Sequence, residues 1–72
     1  MRIEVKVLTG PRAGQGSVLE LPDGALGEQL LKAVGMENIP RVLLIINGRR
    51  RERDEEIHEG DAVSILTPVG GG

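Results

Sequence analysis

The residues whose chemical use owes nothing to their side chains are the last five, Pro68-Val69-Gly70-Gly71-Gly72. Glycine has no Cβ and loses the most entropy on ordering, so a glycine run ends a fold poorly. It presents a backbone well, because a chain without side chains fits a channel too narrow for any other residue. The run ends in a carboxyl group, which is ionised at neutral pH. Pro68 fixes its own φ and donates no backbone hydrogen bond, so a strand ladder should stop there. It also pushes Thr67 toward extended geometry. Beyond Thr67 the chain reaches about 17 Å, at about 3.3–3.6 Å per residue. The expectation is a folded body over residues 1–67 and a flexible glycine tail over 68–72, with Gly71 and Gly72 as its working end. A frayed terminus has the same composition, so the body in front must decide between them.

Other groups offer less. His58 is the only histidine and lies among Glu55, Glu56, Glu59 and Asp61. These are hard oxygen ligands without the ordered spacing of a cation loop. A solvated acidic crossover is the expectation, with no metal site. Arg49-Arg50-Arg51-Glu52-Arg53 reads as a solvated edge rather than a grip on an acidic partner. The glycines between Gly10 and Gly16 lack the Gly-Lys-Ser/Thr ending of a phosphate loop. No Ser-His-Asp arrangement or paired-carboxylate cleft is visible.

Seventy-two residues allow one domain, and a domain of that size buries only about 60 % of its unfolded surface. Apolar residues make up 39 % of the chain and none is aromatic, so Leu, Ile and Val must build the core. Recognition of nucleic acid by aromatic stacking is excluded. Without cysteine there are no disulfides, thiolate nucleophiles or thiolate metal sites. A net charge of −2 is too near balance to suggest a polyanion. No apolar run approaches the length of a membrane span or a signal peptide. The composition suits a cytoplasmic protein without nucleic-acid or membrane partners.

The elements that must position the tail follow from the pattern. Met1 to Leu8 alternates, with Ile3, Val5 and Val7 on one side, as a half-buried strand does. Thr9 to Gly16 is a turn region, and Ser17 to Leu21 returns as a second strand. Ala25 to Val34 reads as a helix capped by Asp23 or Gly24, with Leu26, Leu30, Leu31, Ala33 and Val34 on its apolar arc. Gly27 in its first turn weakens it by about 1 kcal/mol relative to Ala, and Gly35 suits a left-handed C′ position. Arg41 to Ile46 is a buried strand ending at Asn47-Gly48, a type I′ hairpin signal. Arg49 to Arg53 is a charged edge strand. Ile57 is the one apolar anchor in a polar crossover, and Ala62 to Thr67 is the last strand, with Val63 and Ile65 inward. The order β-β-α-β-β-β predicts an α+β fold with one helix packed across a mixed sheet of four to five strands.

That order is similar to the β-grasp, or ubiquitin-like, fold, and Met1-Arg2-Ile3-Glu4-Val5-Lys6-Val7-Leu8-Thr9-Gly10 looks like the first strand and turn of ubiquitin. Ile45-Ile46-Asn47-Gly48, Gly60-Asp61-Ala62-Val63 and Pro68-Val69-Gly70-Gly71-Gly72 together resemble the bacterial sulfur-carrier proteins of the MoaD/ThiS family. Their patterns are V-N-G at the hairpin, G-D-x-V at the start of the last strand and P-V-x-G-G at the end. The resemblance implies a carrier, a co-substrate rather than an enzyme. Its Gly72 carboxylate would be adenylated by a ubiquitin-activating-type enzyme using ATP, then converted to a thiocarboxylate. The sulfur would go to an acceptor synthase of the molybdopterin synthase large-subunit or thiazole synthase type, or into a related thiolation pathway such as cysteine synthesis or tRNA thiolation. No cofactor is implied on the carrier itself. The Pro-Val before the glycines is nearer the molybdopterin branch, and the short connector after the helix is nearer the thiamine branch. A Thr or Ser before Leu26, usual at the family's helix start, is missing.

Alternation also yields a docking surface. If Val42, Leu44 and Ile46 point at the helix, Leu43 and Ile45 point away, and Leu66 points out beside Ser64. Leu8, Leu43, Ile45 and Leu66 then form an exposed apolar patch near the tail, of a kind that marks protein interfaces, with Pro68, Val69 and Gly70 continuing it. Two other roles suit the same chain. One is a modifier whose Gly72 is joined to a lysine; the other is a non-covalent β-grasp interaction module.

Overall fold

The computed structural model describes residues 1–9, 14–39 and 41–67. In chain order they form β1 (Arg2–Val7), β2 (Gly16–Glu20), α1 (Gly27–Ala33), β3 (Leu43–Ile46), β4 (Arg49–Arg51) and β5 (Ala62–Leu66). The strands make one five-stranded sheet in the order β2-β1-β5-β3-β4. β1 and β5 run parallel at its centre, and the other pairs are antiparallel. The segment over residues 68–72, where the flexible glycine tail is predicted, lies outside the described residues.

Alternation sets the two faces of the sheet. Ile3, Val5, Val7, Leu44, Ile46, Val63 and Ile65 are buried beneath the helix, against Leu30 and Leu31. Leu21, Ala25, Met36, Val42 and Ile57 close the margins of the same core. Aliphatic side chains alone fill it, and Ile3, Leu30, Leu31 and Ile65 have no exposed surface. The phase predicted for the all-apolar run holds: Val42, Leu44 and Ile46 are buried, while Leu43 and Ile45 are half-exposed on the other face.

The helix departs from expectation at its start. It begins at Gly27, and the N-cap is Leu26 rather than Asp23 or Gly24. Those two residues belong to a turn in which Ala25 N–H donates to Pro22 O at 3.1 Å and Gly24 has φ +85°. The first helical donors are satisfied by backbone from the crossover, with Gly27 N–H to Glu55 O at 3.0 Å and Glu28 N–H to Arg53 O at 2.8 Å. Gln29 Oε1 accepts the Leu26 N–H at 2.8 Å. A helix end met by backbone in this way needs no polar cap.

Gly27 is therefore a contact residue as well as a weak helix former. A Cβ there would lie 2.6 Å from Leu44 Cδ1 and 3.3 Å from Arg53 O. The apolar arc is narrower than predicted: Ala33 is exposed, Leu26 and Val34 are half-buried, and Gly27, Leu30 and Leu31 carry the contact. The far end matches expectation. Gly35 has φ +77°, its N–H donates to Lys32 O at 3.1 Å, and Met36 N–H donates to Leu31 O at 2.8 Å, which is a Schellman ending.

A hydrogen-bonded corner ties β3 to β5. Asn47 and Gly48 both have positive φ, +53° and +82°, as a type I′ turn requires. Asn47 Nδ2 donates to Asp61 Oδ1 at 2.9 Å, and Ala62 N–H donates to Asn47 Oδ1 at 3.0 Å. Asp61 Oδ2 accepts from His58 N–H at 2.8 Å. The Asn-Gly and Gly-Asp pairs singled out in the sequence are one structural joint.

Candidate docking face and tail root

Among the described residues, no helix covers the face of the sheet turned away from α1. Register fixes its contents. Leu43 of β3 is opposite Leu66 of β5, and Ile45 is opposite Ser64 on one side and Arg50 of β4 on the other. On β1, Lys6 is opposite Ser64, so Leu8 follows next to Leu66 just beyond the ladder. Leu8 is 40 % exposed, and Leu43, Ile45 and Leu66 are half-buried. The structure thus brings Leu8, Leu43, Ile45 and Leu66 onto one face, at the end of the sheet where the chain leaves β5. Pro68, Val69, Gly70, Gly71 and Gly72, the other predicted site residues, lie outside the described residues.

An open groove of about 1250 Å³ borders this patch, lined in part by Thr9, Arg41, Leu43, Arg50, Leu66 and Thr67. The arginines around it divide into two kinds. Arg51 pairs with Glu55 at 3.1 Å, and Arg53 donates to Glu37 O at 3.2 Å and Ile39 O at 2.7 Å. Arg53 therefore clamps the connector after the helix, which corrects its reading as a solvated edge residue. Arg41 and Arg50 have no ion-pair partner among the described residues. Glu28, Glu52 and Asp54 line the same groove, so its rim carries both signs of charge.

Sequence reasoning missed Thr9 and Thr67. Thr9 Oγ1 accepts from Thr67 N–H at 2.8 Å and is 2.9 Å from Thr67 O. The hydroxyl is the only signal either residue offers, and it does not name its partner. The acidic crossover is solvated only in part: Asp61 is held in the joint with Asn47, Glu55 pairs with Arg51, and Glu59 accepts the Arg2 N–H at 3.0 Å. His58 Nε2 is 3.9 Å from Glu56 Oε1 with both side chains exposed. Among the described residues, no group of three or more His, Asp or Glu side chains is placed to hold a metal ion. No described helix is long and apolar enough to cross a membrane.

The ThiS family model matches residues 5–72, from β1 through the final glycines. The chain belongs to the ThiS family. No curated protein sequence matches it. Among solved structures, this ThiS-family chain is similar to a Pyrococcus furiosus protein assigned as molybdopterin converting factor subunit 1, at 24 % identity and TM-score 0.77, covering 94 % of this chain and 98 % of that one. It is similar to SAMP1 from Haloferax volcanii at 18 % identity and TM-score 0.74, with both chains fully covered. A complex of subunits 1 and 2 of molybdopterin converting factor from Helicobacter pylori also matches, at 23 % identity and TM-score 0.64, again over both full chains. A ubiquitin from Caldiarchaeum subterraneum matches at 24 % identity, with TM-score 0.72, covering all of this chain and 98 % of that one. At such identities the likeness establishes the fold of this ThiS-family chain, the ubiquitin-like β-grasp.

Proposed function

We propose that the protein is a sulfur carrier whose Gly72 bears the free, reacting carboxylate. A carboxylate is a poor acyl donor because its leaving group would be oxide. Attack of a Gly72 carboxylate oxygen on the α-phosphorus of ATP expels pyrophosphate and leaves an acyl-adenylate. A sulfur nucleophile at the sulfide level then displaces AMP and leaves a thiocarboxylate, whose sulfur passes to an acceptor. The adenylating enzyme supplies the catalytic groups and consumes the ATP; the carrier binds none.

The carrier's contribution is positioning. Docking by Leu8, Leu43, Ile45 and Leu66 turns attack by the tethered carboxylate into a unimolecular event. Pro68 and Val69 carry the chain off the sheet, and Gly70, Gly71 and Gly72 thread a narrow site. Family membership running through Gly72 is the observation that carries this reading. The Helicobacter pylori complex supports a synthase large subunit as one partner, and an enzyme of the ubiquitin-activating type is the other.

Mass spectrometry of the intact chain tests the proposal. After incubation with an adenylating enzyme, ATP and a sulfide donor, one oxygen at Gly72 should be exchanged for sulfur. An unmodified terminus with each of several cognate enzymes overturns it. Isopeptide adducts carrying Gly71-Gly72 on target lysines would instead identify a protein modifier.

A further inference from the structure

One hydroxyl fastens the chain at the point where the tail begins. The backbone ladder between β1 and β5 ends with Leu8 N–H donating to Ile65 O at 2.9 Å. The next rung is made by a side chain. Thr67 N–H donates to Thr9 Oγ1 at 2.8 Å, and the Thr9 hydroxyl reaches Thr67 O at 2.9 Å and Thr67 Oγ1 at 3.2 Å. Thr9 Oγ1 thus accepts from the N–H of one residue and donates to its C=O, the work of a whole backbone neighbour. Thr67 directly precedes Pro68, which has no N–H with which to extend the ladder. Both threonines are half-buried, so water competes poorly for these bonds.

We propose that Thr9 is a positioning residue, whose hydroxyl fixes the point and direction from which residues 68–72 leave the body. This inference rests on the sulfur-carrier reading above. When the outer face is docked, the position of Thr67 sets where the Gly72 carboxylate arrives. Releasing Thr67 moves the last fixed point back to Leu66 and lengthens the free segment by one residue, about 3.3–3.6 Å. A misplacement of about 1 Å at a reacting centre can cost as much as about 100-fold in rate; an error at the root of the tail is averaged over the residues between it and Gly72, so the loss expected here is about tenfold. Loss of the clasp therefore acts on turnover, whereas the docking patch acts on recognition.

The test uses the full chain as the varied substrate of an adenylating enzyme, read by pyrophosphate release. Thr9→Val keeps the shape and removes the hydroxyl; Thr9→Ser restores it. In Thr9→Val, hydrogen exchange at the Thr67 amide should quicken about tenfold or more, as expected when a protected amide opens locally. Its kcat should fall about tenfold while the KM for the carrier stays within about twofold. Thr9→Ser should return kcat to near the wild-type value. A Thr9→Val carrier with an unprotected Thr67 amide and wild-type kcat overturns the proposal, as does a Thr9→Ser carrier no better than Thr9→Val. Inserting one glycine between Thr67 and Pro68 leaves the clasp intact and lengthens the tail. It should lower kcat alone, and an unchanged kcat would also overturn the inference. If the wild-type chain is not adenylated at all, it is the sulfur-carrier reading that fails.

Discussion

At Gly27 two effects of opposite sign meet, and magnitude decides between them. Replacing a helical glycine by alanine gains about 1 kcal/mol of helix propensity. The new methyl would meet Leu44 Cδ1 at 2.6 Å, on a side chain 1 % exposed that has nowhere to go, with the Arg53 carbonyl behind it. Overpacking of that kind costs about 1–3 kcal/mol, so Gly27→Ala should lower the urea midpoint despite the better helix former. Asn47 invites a second measurement. Asn47→Ala loses the side-chain bonds to Asp61 and Ala62 and puts a Cβ residue without Asn's tolerance at φ +53°. It should cost about 1–3 kcal/mol in chemical denaturation. Asn47-Gly48 was legible in the sequence because a type I′ turn is a local matter of φ. The Thr9–Thr67 clasp was not, because a hydroxyl gives no hint of a partner so far along the chain.

Among the elements, strand phase was the most readable feature. Alternation in β1 and the Asn-Gly stop after β3 fixed which side chains face α1, and the apolar patch on the outer face followed from the remainder. The helix start was misread because its first donors are met by the backbone of Arg53 and Glu55, tertiary partners that no local capping rule contains. The same crossover explains Arg53, whose charge suggested solvent and whose guanidinium holds Glu37 O and Ile39 O. The outer face now makes its own prediction. Ile45→Asp removes a half-buried side chain without touching the core and should leave the thermal midpoint within a few degrees of wild type. Placed between Ser64 and Arg50, it should weaken binding to the adenylating enzyme about tenfold or more, measured by titration calorimetry, as loss of a buried interface anchor does. Unchanged affinity would remove this face from the docking surface.

For the molecule as a whole, body and tail should be separable. The buried core is complete by Ile65, so deleting Gly71 and Gly72 should leave the unfolding transition unchanged, while the adenylation proposed above, followed by pyrophosphate release, disappears. A truncated chain that still turns over ATP would show that the reacting group lies elsewhere. The sheet order has one more consequence. The first and last strands of the domain, β1 and β5, are hydrogen-bonded neighbours at its centre, and such distant pairing forms late and slowly. During synthesis β1 must wait, its inner edge unsatisfied, until nearly all of the chain has left the ribosome. A polypeptide broken off before Ala62 lacks the central strand of its sheet, leaving β1 and β3 without the neighbour that joins them, so the architecture itself keeps prematurely ended copies from reaching the folded state.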